Sequence, residues 1–78
     1  MPKAKIYVTL KPGILDAQGQ TVGTALDHLG FKVENVRIGK YIELTVPDGV
    51  GEEAVKAMCD KLLANPVLEN YTFEVTAG

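Results

Sequence analysis

Between Glu34 and Val46 the sequence alternates without losing step. Val36, Ile38, Ile42, Leu44 and Val46 fall on even positions; Arg37, Gly39, Tyr41, Glu43 and Thr45 fall on odd ones. A period of two marks a half-buried strand. The phase also limits what Gly39-Lys40 can be. In a two-residue hairpin turn Ile38 would pair with Tyr41 and Val36 with Glu43, and the apolar faces of the two arms would point to opposite sides. A three-residue loop, Gly39 to Tyr41, restores the register and stays open as an alternative. The preferred reading is one long strand, bent or bulged at Gly39. It runs for about 13 residues, against a usual ~5–6. That is more than a 78-residue domain can cover, so the overhang is a place for another chain to pair.

The flanking elements follow from similar patterns. Ala4, Ile6, Val8 and Leu10 alternate with Lys5, Tyr7, Thr9 and Lys11, which predicts a strand ended by Pro12-Gly13. Asp16 is placed to cap a helix whose Val22, Ala25, Leu26 and Leu29 share one face. Gly19 and Gly23 weaken that helix. Gly30 suits a left-handed C-terminal residue, with Phe31 reaching back to Leu26 as in a Schellman motif. After Pro47-Asp48-Gly49 a second helix opens with Glu52 and Glu53, where carboxylates complement the dipole. Its expected buried stripe is Val55, Met58, Cys59 and Leu62, with Lys56 pairing to Glu52, and Asn65-Pro66 stops it. A last strand spans about Glu69 to Val75. The order is β-α-β-α-β within a single domain, 1–78. The expected architecture is α+β: a two-layer sandwich with two helices on one face of a small, mainly antiparallel sheet and one long bent central strand.

Composition narrows the function. The formal net charge is -2, with no run of Lys or Arg, which argues against nucleic acid and against a membrane surface. No apolar stretch approaches a spanning length. The N-terminus leads straight into alternation without a signal core, and the single cysteine cannot form an internal disulfide. A cytoplasmic chain is the expectation. A domain of this size is marginal alone and gains from oligomerising.

No catalytic set emerges. His28, the only histidine, has no converging ligands beside it and reads as a surface residue. Cys59 lies on the apolar side of a helix without a histidine partner and reads as a buried structural thiol. There is no Gly-rich phosphate loop, and no metal or cofactor is expected on this chain. Tyr7, Tyr41 and Tyr71 lack the interleaved basic residues of a nucleic-acid sheet. One cluster stands out. Arg37, Gly39, Lys40 and Tyr41 lie mid-strand, and Lys40 falls on the otherwise apolar phase, either snorkelling from the edge or pointing at a partner. These four are the candidate interface, with Lys11, Pro12 and Gly13 as a second patch.

Five segments carry a resemblance. They are Val8-Thr9-Leu10-Lys11-Pro12-Gly13-Ile14-Leu15-Asp16 with Gln18-Gly19; Ala25-Leu26 with Leu29-Gly30-Phe31; Val36 to Leu44; Leu62-Leu63-Ala64-Asn65-Pro66-Val67; and Glu69-Asn70-Tyr71. Together they resemble the PurS family, the small subunit of phosphoribosylformylglycinamidine synthase, over nearly the whole chain and in the family's order. Ala17 departs from it, since proline is common there. The resemblance implies a non-catalytic accessory subunit in de novo purine biosynthesis. It implies a homodimer or higher oligomer that joins a glutaminase subunit to a synthetase subunit. The complex uses ATP and Mg²⁺ with glutamine to convert formylglycinamide ribonucleotide to formylglycinamidine ribonucleotide. Two rival readings are a small-ligand-binding regulatory domain, supported by fold analogy alone, and a stand-alone enzyme, which would need a constellation absent from the sequence.

Overall fold

In the computed structural model, which describes residues 1–76, the element order is β1 (Lys3–Leu10), α1 (Ala17–His28), β2 (Lys40–Thr45), α2 (Glu52–Met58) and β3 (Glu69–Thr76). The three strands form one antiparallel sheet in the order β2-β1-β3. The β-α-β-α-β order and the antiparallel sheet match the expectation.

β1 is central because it is the strand with neighbours on both sides, and its alternation is the cleanest. Ala4, Ile6 and Val8 are fully or almost fully buried, while Lys5, Tyr7 and Thr9 face the other way. The register places Ile6 beside Ile42 and Phe73, and Ala4 beside Leu44 and Val75. One face of the sheet is therefore continuously apolar. α2 covers it with Val55 and Cys59, and Ala64 closes the cluster. At about 25 cal/mol per Å² of apolar area, this small core supplies most of what favours folding.

The third element differs from the expectation in length and in place. Only Lys40–Thr45 is paired, and it lies at the sheet edge, not at the centre. Residues 31–39 form no strand within the chain. Gly39 is neither a mid-strand bulge nor a hairpin turn: it is the point of entry into β2. A Cβ at Gly39 would stand 2.5 Å from the Val8 carbonyl oxygen, so only glycine lets the chain come this close to β1. The even-phase residues before Gly39 turn toward α1, with Ile38 still bordering Val8 and Leu10 of β1. Val36 lies against α1 at Gly23, and Ile38 lies beside Val22.

α1 also departs from the two-layer picture. Asp16 caps it by accepting from the Gly19 N–H at 2.8 Å. It ends in the expected Schellman pattern, with Phe31 N–H donating to Leu26 and Gly30 at φ 93°. Yet no α1 residue belongs to the core cluster, and Gly19 is its only buried residue. Among the described residues, α2 and the turn after it pack on the core face of the sheet.

α2 corrects two further expectations. Its last turn widens into a π-helical turn over Cys59–Leu63, in which the Ala64 N–H donates to Cys59. A π turn takes one extra residue and so rotates the residues beyond it. Leu63 packs against the core, while Leu62 is 82% exposed and Met58 also faces solvent. Lys56 pairs forward with Asp60 at 2.9 Å instead of back with Glu52. Both partners are four residues away, and Asp60 also accepts from the Tyr71 hydroxyl at 2.6 Å.

The chain is elongated. Its extents are 49 × 27 × 13 Å and its radius of gyration is 15.8 Å, where a compact domain of this length has about 11–12 Å. The accessible area is 5640 Å², against roughly 4,600 Å² for a compact monomer of this mass.

Candidate functional site

Arg37 of the first candidate patch meets the second patch, Lys11, Pro12 and Gly13, at a joint between α1 and the sheet. Strand β1 leaves the sheet through a β-turn, Lys11-Pro12-Gly13-Ile14, closed by the Ile14 N–H donating to Lys11. Proline and glycine at its two central positions, with Gly13 at φ 86°, fit a type II turn. The chain then reaches Asp16, whose side chain is 5% exposed. One Asp16 oxygen accepts from Gly19, and the other accepts from the Ile38 N–H at 2.7 Å. A single carboxylate thus caps the helix and binds the arm, residues 31–39, that returns from it. The backbone N–H groups of Ile38 and Gly19, aided by Arg37, hold the Asp16 carboxyl below its ordinary range against the opposing effect of burial.

Arg37 completes the joint from outside. Its guanidinium donates to the carbonyls of Ile14 at 3.2 Å, Lys11 at 3.2 Å and Leu10 at 3.4 Å, and its Nε lies 4.0 Å from Asp16. The planar fork suits several acceptors at once in a way that an ammonium does not. Gly19 lets the arm close against the helix, because a Cβ there would collide with the Val36 carbonyl oxygen. Beside the joint runs an open groove of about 810 Å³, between α1 and residues 33–37, lined by Asp16, Gln20, Thr24, Asp27, Asn35 and Arg37 among others.

The other candidate residues separate from it. Lys40 shares the core face with Val8 and Tyr71 but sits at the open end of the sheet. Its ammonium snorkels to Glu69 at 3.6 Å. Glu69 is itself tied down, since its other oxygen accepts from the Asn65 N–H at 2.7 Å. Tyr41 lies on the outer face, 5.3 Å from Tyr7 between ring centroids. Its hydroxyl donates to Glu43, which also pairs with Lys3 at 2.8 Å. Lys3 first, and Tyr41 second, lower the Glu43 pKa; desolvation, then the Glu43 bond, raises that of Tyr41.

The chain therefore presents three distinct places: a polar joint at Asp16 and Arg37, an ion-paired end at Lys40, and an outer sheet face at Tyr41. A fourth surface is apolar. Val22, Leu29, Phe31 and Val33 are all exposed along α1 and the arm, with Leu29 at 73%. Sequence reasoning found Asp16 as a cap but missed its second bond, and it placed Arg37 outward. No sequence signal links positions 16 and 37, because the pairing depends on how the arm turns back.

No group of three or more His, Cys, Asp or Glu side chains converges among the described residues. Burial, with Asp60 adding to it, pushes the Cys59 thiol up, away from the reactive thiolate. His28 is exposed. Among the described residues no helix is long and apolar enough to cross a membrane.

The family model PurS, phosphoribosylformylglycinamidine (FGAM) synthase, matches residues 3–77. The phosphoribosylformylglycinamidine synthase subunit PurS of a Synechocystis species is 53% identical over 77 residues, covering 94% of this chain and 77% of that protein. The Bacillus subtilis PurS crystal structure superposes with a TM-score of 0.88 at 49% identity, covering 99% of this chain and 100% of the other. A chain in the structure of PurLQS from Thermotoga maritima superposes with a TM-score of 0.78 at 34% identity, covering 97% of this chain and all of that one. With a match from the first strand to the last, the chain belongs to the PurS family of phosphoribosylformylglycinamidine synthase.

Proposed function

We propose that the chain is the small accessory subunit of a phosphoribosylformylglycinamidine synthase in cytoplasmic purine biosynthesis, and that it bridges the glutaminase and synthetase subunits without chemistry of its own. The observation that carries this reading is the full-length superposition on a chain of the Thermotoga PurLQS structure. The shape supports it. An elongated chain with an uncovered apolar helix face and an open outer sheet face has two surfaces to offer at once. In this reading ATP and Mg²⁺ are ligands of the synthetase subunit and not of this chain.

The role follows from the chemistry of the shared intermediate. Ammonia released from glutamine in one subunit is consumed in another to convert formylglycinamide ribonucleotide to formylglycinamidine ribonucleotide. It is lost to solvent unless the two sites are aligned and sealed, and a third subunit spanning both supplies that alignment. Self-association belongs to the same reading. The accessible area, 5640 Å², exceeds that of a compact monomer by roughly 1,000 Å², more than the ~800 Å² each partner buries in a standard interface. The outer edge of β2 also carries unpaired backbone groups.

Reconstitution tests the proposal. Synthetase and glutaminase subunits are combined with and without this chain, and product formation is followed with glutamine or with ammonium as nitrogen source. The expected result is that glutamine-driven turnover needs the chain while ammonium-driven turnover does not. Equal glutamine-driven turnover without the chain would overturn it. A metabolite that alone raises the melting temperature of the isolated chain would favour a ligand-binding regulatory domain instead.

A further inference from the structure

Within one chain α1 adds nothing to the core cluster, so intrachain apolar packing does not fix its angle to its own sheet. It is connected instead by a set of polar bonds. Asp16 ties the first turn of α1 to the arm through Gly19 and Ile38. Arg37 ties the arm to the exit of β1 through Leu10, Lys11 and Ile14. The arm closes on Gly19 with no room for a side chain. Every bond in the set is directional, so the joint allows one angle where a greasy contact would allow several.

We propose that Asp16 and Arg37 are positioning residues for glutamine-driven turnover, holding α1 and its arm at the one angle to the sheet from which both partner subunits are reached together. This rests on the bridging role proposed above. Neither residue touches a reacting atom. Asp16 is buried between this chain's own groups, and the guanidinium of Arg37, though half-exposed, donates to three of this chain's own carbonyls. The joint acts as a unit, so damage at the buried member should equal damage at the exposed one. A misplacement of about 1 Å far from the chemistry is enough to cost on the order of a hundredfold in rate.

The experiment uses the reconstituted three-subunit enzyme with wild-type chain, D16N, R37K, the double variant, and K56A as a control on α2. The readout is the ratio of glutamine-driven to ammonium-driven turnover. Circular dichroism and melting temperature identify the variants that fold. The wild-type arm first establishes that the chain raises glutamine-driven turnover at all; failure there sinks the bridging role, not the joint. Given that, D16N and R37K should each lower the ratio by on the order of tenfold or more. The double variant should lose no more than the worse single one, because both break one device. K56A should match wild type. A loss in R37K without a loss in D16N would mean that Arg37 contacts a partner directly, and would overturn the proposal. So would multiplicative losses in the double variant, or an equal loss in K56A. Should D16N fail to fold, the comparison of R37K with K56A and a distance measurement decide. Spin labels at T24C on α1 and T72C on the sheet should give one narrow distance in the otherwise wild-type chain and a broad one with R37K. A narrow distance in both would overturn the proposal.

Discussion

A buried carboxylate that accepts two backbone N–H bonds is charged where an exposed one has begun to protonate. Asp16 is such a group, and its pKa lies below the ordinary 3.8. Well above that value it is ionised in the folded and unfolded chain alike, and the joint contributes its full stabilisation. As pH falls below 3.8 the unfolded chain binds the proton first. The contribution then declines, and it is gone once pH has passed the lower folded value. Melting temperature followed from neutral pH down to about pH 2 should therefore fall more steeply for wild type than for D16N once pH drops below about 4. Parallel curves would contradict the role given to this residue. Gly19 makes a second prediction at the same scale. Alanine there drives a methyl into the Val36 carbonyl oxygen, and denaturant unfolding should show a loss of about 1–3 kcal/mol, the range for overpacking. Alanine at Gly13, where an added Cβ would meet nothing within 4 Å, should act only through its left-handed backbone.

At the scale of elements, the strands and caps were legible because their signals are local. β1 reads from its alternation, α1 from Asp16 and Gly30, and the end of α2 from Asn65-Pro66. Two features were not. The π turn at Cys59–Leu63 shifts the buried stripe by one residue, and nothing in the sequence announces it. The segment before Gly39 keeps a strand's period yet is not a strand in the isolated chain. Val36 lies against α1 and Ile38 between α1 and the end of β1, and periodicity reports which side is apolar without naming what covers it. The candidate site suffered the same way. Arg37 was visible as an odd residue in an informative place, but its carbonyl partners come from a turn more than twenty residues earlier. The corrected register of α2 makes a prediction. V55A should destabilise the chain by ~1–3 kcal/mol, while L62A should stay within about 0.5 kcal/mol, as read by chemical denaturation. Equal losses would restore the regular helical stripe.

The whole molecule is thin, long and incompletely covered, and the proposed bridging role draws on that shape. Sedimentation equilibrium should give a mass at least twice that of one chain, and L29D, which places a charge on the uncovered face of α1, should lower it. A monomer at all concentrations would rule out self-association. The central claim, that the chain bridges two larger subunits, is tested most directly by the mass of the assembly. Glutaminase and synthetase subunits are mixed under turnover conditions, with and without this chain, and the masses present are measured in solution. Bridging predicts a species containing all three chains, and no glutaminase–synthetase species when this chain is left out. A two-subunit complex of the same abundance in its absence would contradict it.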